Sequence, residues 1–149
     1  PPTGRLFAGD VGQNFYEEVN LIIKGGDYGW SYREAMHPFT LGPGKTNEPA
    51  GYKPVEPIYE YPRKVGISVT GGVVYRGKGL PALQGAYVFA DFGTGVVIAL
   101  REKGLQWEAE TIAKDAAIAG IGLDPRDGEL LFANIAQGKI KRLKKLQPK

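Results

Sequence analysis

His37 is the single histidine of the sequence and cysteine is absent, so no second nitrogen or thiolate ligand exists to build a zinc site. His37 lies in a Pro- and Gly-rich stretch, residues 34–54, and a lone loop histidine reads as a surface residue rather than a catalytic base. No Ser/His/Asp constellation, phosphate-cradling loop or dinucleotide fingerprint with a helix behind it is present. Tyr16, Tyr28, Trp30, Tyr32 and Phe39 cluster in one region. Aromatics of this kind can stack on a sugar ring, but in a β protein the simpler role is packing between sheets. Residues 36–52 form a long stretch rich in Gly, Pro and Asn, and loops of this length often carry function.

The last basic run is the other chemically suggestive feature. Residues 139–149 hold six Lys or Arg and no acid, and the rest of the chain carries 13 basic against 16 acidic residues. Lys139, Ile140, Lys141, Arg142, Leu143 and Lys144 alternate as a strand with one solvated face. No aromatic platform is interleaved with these charges, so nucleic-acid binding is not expected.

The elements that would position such residues are strands. Hydrophobic residues make up 42% and charged residues 23% of the 149, which places the chain in the globular class. Gly and Pro total 33 without a collagen period, a composition that suits many short strands and tight turns. No apolar run reaches the ~20 residues of a membrane-spanning helix. The start, Pro1-Pro2-Thr3-Gly4, is no signal peptide and lacks an initiator Met, so the natural N-terminus is expected upstream.

Three segments resemble one another: Gly4-Arg-Leu-Phe-Ala-Gly-Asp10, Gly85-Ala-Tyr-Val-Phe-Ala-Asp91 and Gly128-Glu-Leu-Leu-Phe-Ala-Asn134. Each is followed by a second strand-like run, and Phe89 and Phe132 are 43 residues apart, about one four-stranded propeller blade. Phe7, Phe89 and Phe132 are read as equivalent points of successive sheets. The middle unit then holds strands at 67–76, 86–91, 96–101 and 106–113. The blade pieces fall at about 4–63, 67–113 and 117–144 within a single domain, 1–149. The expected fold is all-β, about two and a half four-stranded blades of a propeller; a generic β-sandwich is the alternative. A propeller needs about four blades or more, so missing N-terminal blades, or further copies of the chain, are expected to close the ring. Three copies of about two blades would make six.

The run from Gly9-Asp-Val-Gly-Gln-Asn-Phe-Tyr-Glu-Glu-Val-Asn to Gly-Gly-Asp-Tyr-Gly-Trp30 resembles the glucose/sorbosone dehydrogenase family. Ser68-Val-Thr-Gly-Gly-Val-Val-Tyr-Arg76 and the stretch from Gly85 to Gly95 extend the resemblance over nearly the whole chain. That family includes soluble aldose sugar dehydrogenases using pyrroloquinoline quinone (PQQ) and the propeller of hedgehog-interacting protein. The match corresponds to the C-terminal half of a six-bladed member.

The resemblance implies calcium bound by Glu18 and by Tyr28, whose backbone carbonyl the Gly25-Gly26…Gly29 turn can aim inward, with Glu17 and Asp27 as possible further donors. It also implies quinone-binding cations at three places where this chain has Gly93, Ala117 and Ala119. The quinone is a tricarboxylate that wants Lys and Arg, so its binding by these sheets is not expected. Arg126, in the neighbouring turn, is expected to face solvent. Two functions follow by resemblance: part of a PQQ-dependent sugar dehydrogenase, or a non-catalytic ligand- or protein-binding propeller of the hedgehog-interacting type. A periplasmic or secreted location is implied as well, and so is a ligand-gating role for residues 36–52, because such loops rim the upper face of the propeller in that family.

Overall fold

The computed structural model describes residues 4–39 and 48–144. Residues 40–47, within the expected gating loop, and residues 145–149, the end of the basic run, lie outside the described residues. Among the described residues twelve strands follow in order: β1 (Leu6–Asp10), β2 (Tyr16–Ile22), β3 (Arg33–Glu34), β4 (His37–Pro38), β5 (Tyr59–Pro62), β6 (Val69–Val74), β7 (Tyr87–Asp91), β8 (Val96–Lys103), β9 (Gln106–Lys114), β10 (Ile118–Leu123), β11 (Leu130–Asn134) and β12 (Lys139–Arg142). No α-helix occurs among the described residues.

Three antiparallel sheets stack face to face, in strand orders β1-β2-β5, β6-β7-β8-β9 and β10-β11-β12. A fourth, two-stranded sheet is the β3–β4 hairpin. The architecture is a partial β-propeller, and among the described residues it does not close. The four-stranded sheet lies between the other two and is covered on both faces. That is why every residue of β7 is buried and why β8 begins Val-Val-Ile-Ala-Leu instead of alternating. Its rim strand β9 alternates Glu108 and Glu110, which pair with Lys103 at 2.8 Å and Arg101 at 3.0 Å across the ladder. Charges on a rim strand discourage another chain from adding to the edge.

The two seams between sheets differ in chemistry. Phe7, Tyr61, Tyr87, Phe89 and Leu100 fill the first seam. Tyr75, Val88, Ala90, Leu130 and Phe132 fill the second. Polar staples cross both: Val69 N–H donates to Glu17 Oε2 at 2.7 Å, and the Thr70 hydroxyl donates to the Ile118 carbonyl at 2.8 Å. Glu129 accepts from the Tyr75 hydroxyl at 2.8 Å and from the Gly79 amide at 2.7 Å.

One expectation from the repeat needs correction. Phe89 faces the first sheet, against Tyr59 and Tyr61, and Phe132 likewise faces back onto the sheet before it. Phe7 faces forward, stacked on Tyr87 with ring centroids 4.6 Å apart. The true anchors of the repeat are Gly4, Gly85 and Gly128, with φ of +67°, +78° and +74°, each six residues before Asp10, Asp91 or Asn134. On that alignment Ala8, not Phe7, matches Phe89 and Phe132. A one-residue offset in a strand moves a side chain to the opposite face.

Candidate functional site

The Glu17-Glu18 pair sits on β2, where neighbouring side chains leave on opposite faces. Glu17 points into the first seam, where it is fully buried, ion-paired with Arg63 and bonded to Val69 N–H. It is therefore not a donor on Glu18's side of the sheet. Glu18 points to the other face and is 5% exposed. Asp10 lies directly opposite it on β1 and Glu60 directly opposite on β5, so three carboxylates stand in one cross-strand row. Like charges so placed repel. Burial, joined by Asp10 and Glu60, pushes the Glu18 carboxyl above its ordinary value, against hydrogen bonds from Asn20 and the Ala35 backbone. Asn20 Nδ2 donates to Glu18 Oε1 at 2.7 Å.

Glu60 is engaged on its own account. It accepts the Met36 amide at 3.0 Å and pairs with His37 Nε2 at 2.8 Å, while the His37 ring stacks on Tyr16 with centroids 3.9 Å apart. His37 is partly buried and is not among the residues lining the cavity beside Glu18.

That cavity measures about 310 Å³ and is lined by Asp10, Glu18, Tyr28, Trp30, Arg33 and Glu34 among others. Glu18 and Tyr28, which only the family resemblance linked, thus line one space. The Tyr28 hydroxyl is occupied in closing its own loop: it accepts Ile23 N–H at 2.7 Å and donates to the Leu21 carbonyl at 3.3 Å. Asp27 is also occupied, accepting the Gly29 amide and the Tyr52 hydroxyl, both at 2.9 Å through Oδ1. Asp27 therefore holds the turn, and Gly29 supplies its φ of +98°.

Glu34 escaped the sequence reading. The β3–β4 hairpin delivers it, 4% exposed, to the turn after β1. There Oε1 accepts three successive amides, from Asn14 at 2.6 Å, Phe15 at 2.7 Å and Tyr16 at 3.2 Å. Gly12 is required in this turn, because an added Cβ would lie 1.5 Å from the Tyr16 carbonyl oxygen and 2.7 Å from Glu34 Oε1. These contacts span 18 to 20 residues between two irregular segments, and no local pattern announces them.

Calcium fits this corner by donor chemistry. A buried carboxylate lacks a cation beside it, and two further buried oxygens, Asn20 Oδ1 and Glu34 Oε2, have no hydrogen-bond partner among the described residues. No group of three or more His, Cys, Asp or Glu converges as a ready ligand set among the described residues, so backbone carbonyls or water would have to complete the shell.

The quinone does not fit. An added Cβ at Gly93 would lie 2.3 Å from Ile67 Cγ1 and 2.6 Å from its Cδ1, so a side chain there would have to displace Ile67, which is half exposed. Ala117 has φ of +57°; its amide donates to the Phe92 carbonyl and its carbonyl accepts the Ile135 amide, both at 3.1 Å. Ala119 is solvent-exposed and uncharged, and strands β6 and β10 contain no charged residue. Arg126 pairs with Asp124 and its side chain is 82% exposed, as expected.

Fold and site together define a class: a propeller section with an acidic corner and two strands, β6 and β10, free of charge. The chain belongs to the glucose/sorbosone dehydrogenase family, whose model, described as "Glucose / Sorbosone dehydrogenase", matches residues 1–142. Among curated proteins it is similar to the HIPL1 protein of Arabidopsis thaliana, 40% identical over 97 residues, covering 58% of this chain and 14% of that protein. The HIPL2 protein of the same plant is 35% identical over 89 residues, covering 55% of this chain and 13% of its own length. The chain thus matches about one seventh of these relatives.

Proposed function

We propose that the chain is a calcium-binding section of propeller wall that serves ligand or protein binding without a quinone. The observation that carries this reading is the absence of a cation at Gly93, Ala117 and Ala119 and of any charge on strands β6 and β10. Glu18 and the Tyr28 carbonyl would hold calcium, with the metal neutralising the buried carboxylate and tying the 23–32 loop to β2. Uncharged positions at 93, 117 and 119 would favour a neutral ligand, such as a sugar, over a polycarboxylate. Closure of the ring would come from preceding blades or from further copies of the chain. A solution mass three times the 16.1 kDa of one chain would mark a trimer. A periplasmic or secreted setting suits both calcium and the family.

Family membership supports a second reading, a PQQ-dependent aldose dehydrogenase to which this chain lends wall and calcium but no catalytic base. Reconstitution separates the two. Adding pyrroloquinoline quinone and calcium to the complete propeller, with the blades that close the ring, is expected to leave the quinone absorbance unshifted and to give no dye reduction with aldoses. A shifted spectrum with sugar-dependent reduction would establish the enzyme reading instead.

A further inference from the structure

The strongest unexplained feature is the far side of the Glu34 carboxylate. Oε1 is saturated by the amides of Asn14, Phe15 and Tyr16. Oε2 is buried and has no hydrogen-bond partner among the described residues. The Arg63 guanidinium approaches Oε1 only at 3.9 Å and is itself bonded to the carbonyls of Gly12, Asn14 and Ile67. A buried acceptor without a donor costs about 1–3 kcal/mol, and more when it carries charge, so such atoms usually have a partner of their own. Asn20 repeats the pattern. Its amide nitrogen goes to Glu18, and its oxygen is buried without a partner among the described residues. Glu34 lines the same cavity as Glu18 and Asp10.

We propose that Glu34 is a second carboxylate for a hard divalent cation in this cavity, coupling the bound ion to the turn after β1. The inference rests on the calcium reading of Glu18 and goes beyond it. Oε1 stays on the three amides, and Oε2 turns to the cation or to a water in its shell. Cation binding then stiffens residues 12–16 as well as the 23–32 loop. The ion acts as a pin between the outer face of the first sheet and the turn at the end of β1.

Glu34→Gln isolates the claim, because its amide oxygen still accepts the three N–H groups while a nitrogen replaces Oε2. The whole chain, Glu34→Gln and Glu18→Gln are titrated with calcium alone by calorimetry. The melting temperature is read within each variant with calcium and with chelator, so a lowered baseline cannot mask the response. Expected is calcium binding by the parent, a loss of about tenfold or more in affinity for Glu34→Gln, and no binding by Glu18→Gln. Parent-like affinity in Glu34→Gln, with binding lost in Glu18→Gln, overturns the role of Glu34 alone. Absence of calcium binding by the parent overturns both readings.

Discussion

Two turns occupy the same place in the repeat and are built in opposite ways. The turn after β7, residues 92–95, is short and closes on itself: Asp91 Oδ1 accepts the Thr94 amide at 2.8 Å and its hydroxyl at 3.0 Å. Its Oδ2 reaches back to the Ser68 amide at 2.7 Å, and Ile67 fills the space beside Gly93. The turn after β1, residues 11–15, takes its capping carboxylate from elsewhere, the distant Glu34, and opens onto a polar cavity. One position in the blade thus lies under the half-exposed Ile67 side chain in one sheet and forms the wall of an acidic corner in another. Difference within a repeat points to function, because packing alone would be met by repeating the same solution.

The comparison rests on the shared seam, and breaking that seam should have the largest effect. Phe89→Ala removes a fully buried ring from between the two sheets and is expected to cost about 3–5 kcal/mol by denaturant unfolding. Gly12→Ala comes next, at about 3 kcal/mol, because the added methyl meets backbone at the Tyr16 carbonyl and cannot be accommodated by a rotamer change. Gly93→Ala meets only the Ile67 side chain, so a cost of about 1–2 kcal/mol is expected, with Ile67→Ala in the same chain recovering most of it. Equal losses from the two glycines, or no recovery with Ile67→Ala, would erase the contrast between the turns.

The smallest effect is electrostatic and its sign is informative. Burial raises both Glu17 and Glu18 above the ordinary carboxylate value of 4.5. The folded state therefore holds these protons more tightly than the unfolded chain. Their contribution makes calcium-free stability fall as pH rises from about 4.5 through the raised values. Glu18→Gln should flatten that fall and raise the calcium-free melting temperature at neutral pH. A pH profile unchanged by the substitution would mean that Glu18 is already compensated in the absence of metal.

Much of the strand order could be read in advance, because turn glycines and apolar runs are local signals. The four strands expected between residues 67 and 113 occur at β6 to β9, and the later run begins a third sheet at β10. The alignment by Phe misled at Phe7, where Gly9 shifts the Phe-Ala pair by one residue and the side chain turns to the other seam. Glu34 carried no signal, since its partners at 14–16 are reached only through the β3–β4 hairpin.

What the chain encodes locally is therefore its sheets, its turns and the absence of cations at Gly93, Ala117 and Ala119, since each depends on residue type and near-neighbour spacing. The division of Glu17 from Glu18 follows from strand periodicity, but which of them would enter a seam depended on where the second sheet docks. The Ile67 contact at Gly93 and the Glu34 clamp on residues 14–16 were decided by tertiary structure alone, because each joins segments whose proximity no local pattern records.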